Sequence, residues 1–403
     1  MRILVVGAGG VGSAVPAIAQ RRSFFAHMTL ADIAPERARG AVERLGEPDR
    51  FSAVQVDAGD RAALAALIRE LRADAVLNAC DPRFNEPIFG ACHAAGVTYL
   101  DMAMTLSRPH PREPYRQPGV LLGELQLAAA EAWERAGQLA LVGIGVEPGL
   151  SDVLARYAAD HLFSRIEEIG VRDGADLRVE GYAFAPTFSI WTTIEECLNP
   201  PLVWERERGW FTTEPFSEPE LFTFPEGIGA IECVNVEHEE VVLIPRWVAC
   251  ERVTFKYGLG RDFIDVLKTL HMLGLDATEP VRVPGGALVA PRDVVAAVLP
   301  DPATLGERMT GRTCAGTYVT GTGRDGRPRR TYLYHVVDNE WSMREYGAQA
   351  VVWQTALHPV IALELLATGV WRGVGVLGPE AFDAVPFLDL LAEYGAPHRM
   401  EDR

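Results

Sequence analysis

Short apolar runs alternate with helix-period segments through the first third of the chain. Arg2 to Val6, His27 to Ala31, Phe51 to Val56, Ala75 to Ala79 and Val97 to Asp101 read as strands. Gly12 to Arg21, Pro35 to Leu45, Asp60 to Leu71 and Glu86 to Ala95 read as the helices between them. Such alternation predicts a parallel, doubly wound sheet, because each parallel crossover needs a helix to cover the strand it leaves. Residues 105 to 121 break the rhythm with four prolines and read as a loop. A helix from Leu122 to Arg135 and a strand from Leu139 to Ile144 follow.

From about residue 151 the texture changes. Gly170 to Arg172, Val234 to Ile244, Arg252 to Tyr257, Thr313 to Thr320 and Arg330 to Val337 read as strands with few long helices between them. Asp152 to His161 and Phe263 to Leu273 are the helical exceptions, and Gly323-Arg324-Asp325-Gly326 is a hairpin turn. The segment from Glu205 to Pro225, rich in charge, proline and aromatics, reads as a lid or a dimer contact. Two helical segments, Val351 to Thr368 and Phe382 to Tyr394, close the chain. The expected class is α/β: a doubly wound parallel domain over 1–124, an inserted α+β substrate or catalytic domain of mostly antiparallel sheet over 125–345, and C-terminal helices over 346–403 that return to the first domain.

Bulk numbers narrow the partners. With 403 residues, 48% hydrophobic and 23% charged, the composition is that of an ordinary globular protein. A net charge of −17 argues against nucleic acid, whose phosphates call for clustered Lys and Arg, and gives an anionic membrane nothing to attract. The six cysteines are scattered without a C-x-x-C pair, so neither a disulfide framework nor a metal cluster is expected. With no targeting or spanning segment in the pattern, the expected compartment is the reducing cytoplasm.

The strongest chemical signal is Gly7-Ala8-Gly9-Gly10-Val11-Gly12, which follows an apolar strand and opens a helix. In that setting G-x-G-x-x-G is the dinucleotide fingerprint of the Rossmann fold: one glycine for the tight turn, one for approach of the pyrophosphate, one for helix–strand packing. Asp32 ends the second strand about twenty residues on, where a carboxylate accepts from the adenosine ribose hydroxyls and repels a 2′-phosphate. NAD is therefore the expected cofactor, with NADP possible because Arg37 and Arg39 lie on the next helix. Asp57 and Ala58 after the third strand, and Asn78 and Ala79 at the end of the fourth, share the carboxyl edge where a dinucleotide lies. Asp101 ends the fifth strand at the nicotinamide end, and Glu147-Pro148-Gly149 forms a constrained turn facing the same cleft.

These motifs together resemble the saccharopine dehydrogenase-like family. The resemblance rests on the glycine turn, Val56-Asp57-Ala58-Gly59-Asp60, Asn78-Ala79, Tyr99-Leu100-Asp101, Glu147-Pro148-Gly149, Gly227-Ile228-Gly229, His238-Glu239-Glu240, Pro291-Arg292-Asp293-Val294 and the late Gly375 to Glu380 segment. It implies hydride transfer between a nicotinamide and a carbon bonded to nitrogen, through an imine, on an amino acid or polyamine-type substrate. It also implies a homodimer. Phe188-Ser189 and Leu198-Asn199-Pro200-Pro201 look like the lysine 6-dehydrogenase branch, whereas His-Glu-Glu followed by Leu243-Ile244-Pro245-Arg246 looks like the polyamine-forming branch.

Imine chemistry needs a proton carrier, and Asp101, Glu147, His238 and Glu240 are the candidates. Arg172, Arg246 and Arg261 are candidates for a substrate carboxylate, with Pro148 and Gly149 as wall contacts. His238-Glu239-Glu240 equally suits a solvated turn before a strand from Val241 to Ile244. A non-catalytic dinucleotide-binding sensor or scaffold is the alternative function.

Overall fold

A computed structural model describes all 403 residues. The N-terminal strands are β1 (Arg2–Val6), β2 (His27–Asp32), β3 (Phe51–Gln55), β4 (Ala75–Asn78), β5 (Thr98–Asp101) and β6 (Leu139–Leu141). They form a seven-stranded parallel sheet whose seventh member, Gly375–Leu377, comes from near the other end of the chain. The order is Gly375–Leu377, β6, β5, β4, β1, β2, β3. The sequence order reverses between β1 and β4, which opens the ligand crevice at their carboxyl ends. The helices α1 (Gly10–Ala19), α2 (Pro35–Glu43), α3 (Arg61–Leu71) and α4 (Asn85–Ala95) follow the strands as crossovers. Asp60 caps α3 by accepting from the backbone N–H groups of Ala62 and Ala63.

The second sheet is nine-stranded and centred on β7 (Phe163–Ala175). β7 pairs in parallel with Arg252–Gly258 and antiparallel with Arg312–Gly323, which continues through Pro328–Asp338 to the edge strand Arg399–Asp402. The far side runs through Leu202–Glu205 to Gly209–Thr212. The helix Ala350–Ala367 lies almost wholly inside the protein and packs on α1, so its apolar length serves the core. One continuous apolar core runs from the first sheet through that helix to the second sheet.

Three expectations change. Residues 205 to 225 are not a lid: Gly209–Thr212 and Glu220–Phe224 are strands of the second sheet. The strand expected to run to Ile244 stops at Asn235, and Glu240–Trp247 is a helix. A short apolar run fits a buried strand and a buried helix equally well, and here packing chooses the helix. Finally, Leu122 to Arg135 is two short helices, Glu124–Ala128 and Ala130–Arg135.

Candidate active site

The glycine turn is built as the dinucleotide cradle requires. Gly7 has φ +103°, and a Cβ there would stand 2.6 Å from the Ala79 carbonyl oxygen. A Cβ on Gly12 would meet the Gly7 oxygen at 1.9 Å, whereas Gly9 faces open space. No side chain caps the start of α1, so its first N–H groups remain available to an anion. Ala79 and Val11 border the same cavity as Gly9 and Gly10. Asn78 braces the neighbouring turn, accepting from the Cys80 N–H (3.0 Å) and donating to Asn85 (2.7 Å). These residues fit a dinucleotide pyrophosphate.

Asp32 plays a part that the sequence did not disclose. Its Oδ2 accepts from the Ala8 N–H (2.7 Å) and so ties β2 to the glycine turn, while its Oδ1 accepts from the Ala34 N–H (2.8 Å) at the start of α2. Asp57 is exposed at the end of β3, accepts from the Gly59 N–H (2.8 Å), and stands beside the half-buried Ala58.

A cavity of about 470 Å³ extends from the glycine turn to the face of the second sheet. Its acidic lining residues are Asp81, Glu147, Asp173, Glu196 and Glu239, and no Lys, Arg or His lines it. Tyr257 and Ala315 come from the sheet floor, and Thr192 and Thr193 from the helix Ile190–Leu198.

Glu147 reaches the cavity from a turn closed by Gly145 N–H donating to the Pro148 carbonyl (2.7 Å). Its carboxyl shares a hydrogen bond with Asp173 of β7. Burial first, and then the neighbouring carboxylate Asp173, push Glu147 well above the usual carboxylate range. Asp173 is pushed up to about 6, again by burial first. Glu196 is pushed up to about 8 by burial, and its Oε2 is enclosed without a partner. Glu239 accepts from the Met104 N–H (3.0 Å) and is raised by burial.

His238 and Glu240 form a buried pair directly behind these groups. His238 Nδ1 lies 2.5 Å from Glu240 Oε2, and Ser151 donates to Glu240 Oε1 (2.7 Å). The imidazole stacks on Phe255 with ring centroids 3.8 Å apart. Burial works to lower the His238 pKa but is outweighed, chiefly by Glu240, so the ring is held up at about 10. It is an imidazolium, a fixed cation within a nest of carboxyls. Neither residue borders the cavity, so they act through Glu239 and Asp173.

Four other expected site residues do not reach the cleft. Asp101 is fully buried and accepts from Tyr99 Oη (2.8 Å), Gln126 Nε2 (2.6 Å) and the Gly143 N–H (2.7 Å), joining β5 to the chain after β6. Arg172 points to the opposite face of β7 from its neighbour Asp173, as strand alternation demands, and pairs there with Glu220 and Glu168. Arg246 donates to the Val242 carbonyl and lies over Trp210, away from the cavity. Arg261 pairs at the surface with Glu232 (3.5 Å). Of the turn residues, Pro148 lines the cavity, whereas Gly149 (φ +132°) starts the helix Leu150–Tyr157 and donates to Asp152.

Asp173, Glu196 and Tyr257 escaped the sequence. Only the Arg172-Asp173-Gly174 alternation held a usable signal, since opposite charges on successive strand residues must face opposite sides.

A glycine cradle over a crevice that continues into a chemically furnished cavity defines a nicotinamide-dependent oxidoreductase. Residues 3–141 match the model of the saccharopine dehydrogenase NADP binding domain, and residues 145–396 match that of the saccharopine dehydrogenase C-terminal domain. The chain belongs to the saccharopine dehydrogenase family, and it is an enzyme rather than a sensor. It is 30% identical to a carboxynorspermidine synthase of Vibrio alginolyticus, over 100% of this chain and 97% of that protein. It is 29% identical to a carboxyaminopropylagmatine dehydrogenase of Synechocystis, over 98% and 96% of the two chains. The fold matches apo saccharopine dehydrogenase (L-Glu forming) of Saccharomyces cerevisiae with a TM-score of 0.69, at 14% identity, covering 100% of this chain and 99% of that one.

Proposed function

We propose that the enzyme joins a primary amine of a polyamine-type substrate to an amino-acid semialdehyde and reduces the resulting imine to a secondary amine, using NADPH. The observation that carries this is the cavity lining, with its five acidic side chains and no basic one. Such a wall favours an oligoamine, whose ammonium groups it pairs, over a substrate recognised mainly through a carboxylate. The names of the two relatives support the same substrate class.

The protein's own groups supply the proton traffic. An amine enters as an ammonium ion and must lose a proton to attack the aldehyde carbonyl. Glu147 and Asp173, sharing one hydrogen bond, are a pair able to accept it. Attack forms the C–N bond, and loss of water leaves the imine. The proton returned by the same pair makes that imine an iminium, whose carbon is electron-poor. A reduced nicotinamide held at the glycine turn would supply the hydride that this carbon accepts. His238 stays protonated against Glu240, and its positive charge favours the ionised form of Asp173.

For the cofactor, NADPH is favoured by the family model that the first domain matches. Arg37 and Arg44 line a second cavity, of about 730 Å³, that reaches Gly9 from the side of α1 and α2. With Arg21, which lines the same cavity, they are cations available to a 2′-phosphate.

The test is to follow oxidation of NADPH and NADH by the purified protein with diamines or triamines and an amino-acid semialdehyde. NADPH oxidation that requires both the amine and the aldehyde supports the reading. Oxidation with the aldehyde alone would overturn it.

A further inference from the structure

Gln354 lies on the helix Ala350–Ala367 where that helix borders the acidic cavity. Its amide is turned by His335, on the strand Pro328–Asp338, and both residues are 1% exposed. Gln354 Nε2 stands 3.1 Å from the His335 carbonyl oxygen and 3.0 Å from His335 Nδ1. A backbone carbonyl can only accept, so the NH2 end of the amide must face His335. The second amide hydrogen then requires Nδ1 to be the unprotonated nitrogen. Burial, and secondarily His398, hold His335 neutral by pushing its pKa down to about 3. With both hydrogens spent on His335, the amide oxygen is the end left for the cavity, and no protein donor bonds to it.

The place of that oxygen matters. Ala315, paired opposite His335 on the adjoining strand, lines the cavity, and the backbone of the next residue, Gly316, lies beside Glu147. Gln354 therefore serves the stretch of wall where the Glu147–Asp173 pair sits. A carboxylate binds an amine best as the unreactive ammonium ion. A carboxamide oxygen carries no net charge, so it favours the ammonium over the free amine far less than a carboxylate does, and it takes no proton.

We propose that Gln354 accepts an N–H from the substrate amine after deprotonation, and that His335 is the positioning residue that aims its carbonyl into the cavity. This rests on the function proposed above.

The test compares His335→Asn with His335→Leu, two side chains of nearly equal shape of which only Asn keeps an acceptor. Gln354→Met, which keeps the length of Gln without its amide, is measured in parallel and stands in if His335→Leu does not fold. His335→Leu and Gln354→Met are expected to raise the KM for the amine roughly five- to tenfold, the worth of one hydrogen bond. NADPH affinity, read by nucleotide fluorescence titration, stays within about twofold, and His335→Asn stays near wild type. An unchanged amine KM in the variants, or a loss of NADPH affinity in place of the KM effect, would overturn the inference while leaving the proposed reaction standing. A wild-type enzyme that turns over no amine would overturn both.

Discussion

Glu147 and Asp173 meet carboxyl to carboxyl on the floor of the cavity, one from the turn after β6 and one from the end of β7. Two buried carboxyls in contact cannot both ionise cheaply, so the pair retains a proton where isolated carboxyls have lost theirs. Glu147→Gln keeps a hydrogen-bonding partner for Asp173 but cannot carry that proton. Its kcat should fall about 10²- to 10⁴-fold, with fold and NADPH binding retained. Steady-state kinetics with a fluorescence titration of NADPH checks this, and a kcat within a few-fold of wild type would remove Glu147 from the chemistry.

Stability should decline as pH rises from mildly acidic to alkaline. Asp101, Glu237 and Glu380 are each pushed up to about 7 by burial, and Glu196 to about 8. In the unfolded chain such groups release protons near pH 4, so between about 4 and 8 the folded state holds more protons. A rise in pH therefore draws the equilibrium toward unfolding. His238, held up at about 10, continues the same trend from its unfolded value near 6.5. Melting temperatures measured from pH 5.5 to 9 should fall by several degrees. A bound oligoamine should restore more of the loss at pH 9 than at pH 6, because it pairs with the ionised carboxylates.

Asp101 should prove structural. Asp101→Ala strands three buried donors, from Tyr99, Gln126 and Gly143, at a cost of about 3 kcal/mol or more. Urea denaturation should show that loss, while the pH dependence of kcat in the folded fraction keeps its wild-type shape. A shifted kinetic pKa would instead put Asp101 in the chemistry.

Glu196 should read the length of the amine. It stands on the helix Ile190–Leu198 with one oxygen unpartnered, and reaches the cavity from a different element than Glu147 and Asp173. Glu196→Gln should raise the KM for a diamine about tenfold or more, and that for a monoamine of equal length much less. Equal effects on the two amines would contradict that role.

The glycine turn was legible because each glycine answers a local constraint: a positive φ at Gly7, a contact with Gly7 at Gly12, and an open approach at Gly9. The parallel sheet was legible for a similar reason, since its helices and strands alternate with clean periodicity. The acidic cavity was not. Glu147, Asp173, Glu196 and Glu239 lie on four separate segments, and only the packing of the second sheet against the glycine turn gathers them. His238-Glu239-Glu240 was visible as a motif but invisible as a buried nest. Its burial depends on Phe255 and Ser151, distant in sequence. The role first read for Arg172 failed because its charge has a partner, Glu220, on another element.

The most direct test of the central claim is where the transferred hydride goes. The enzyme would be incubated with NADPH carrying deuterium at the transferable C4 position, a diamine and an amino-acid semialdehyde, and the products resolved by mass spectrometry. The account predicts a secondary amine, joined from both substrates with loss of water, bearing one deuterium on a carbon bonded to the new nitrogen. Deuterium in an alcohol derived from the aldehyde alone, with the amine returned unchanged, would contradict it.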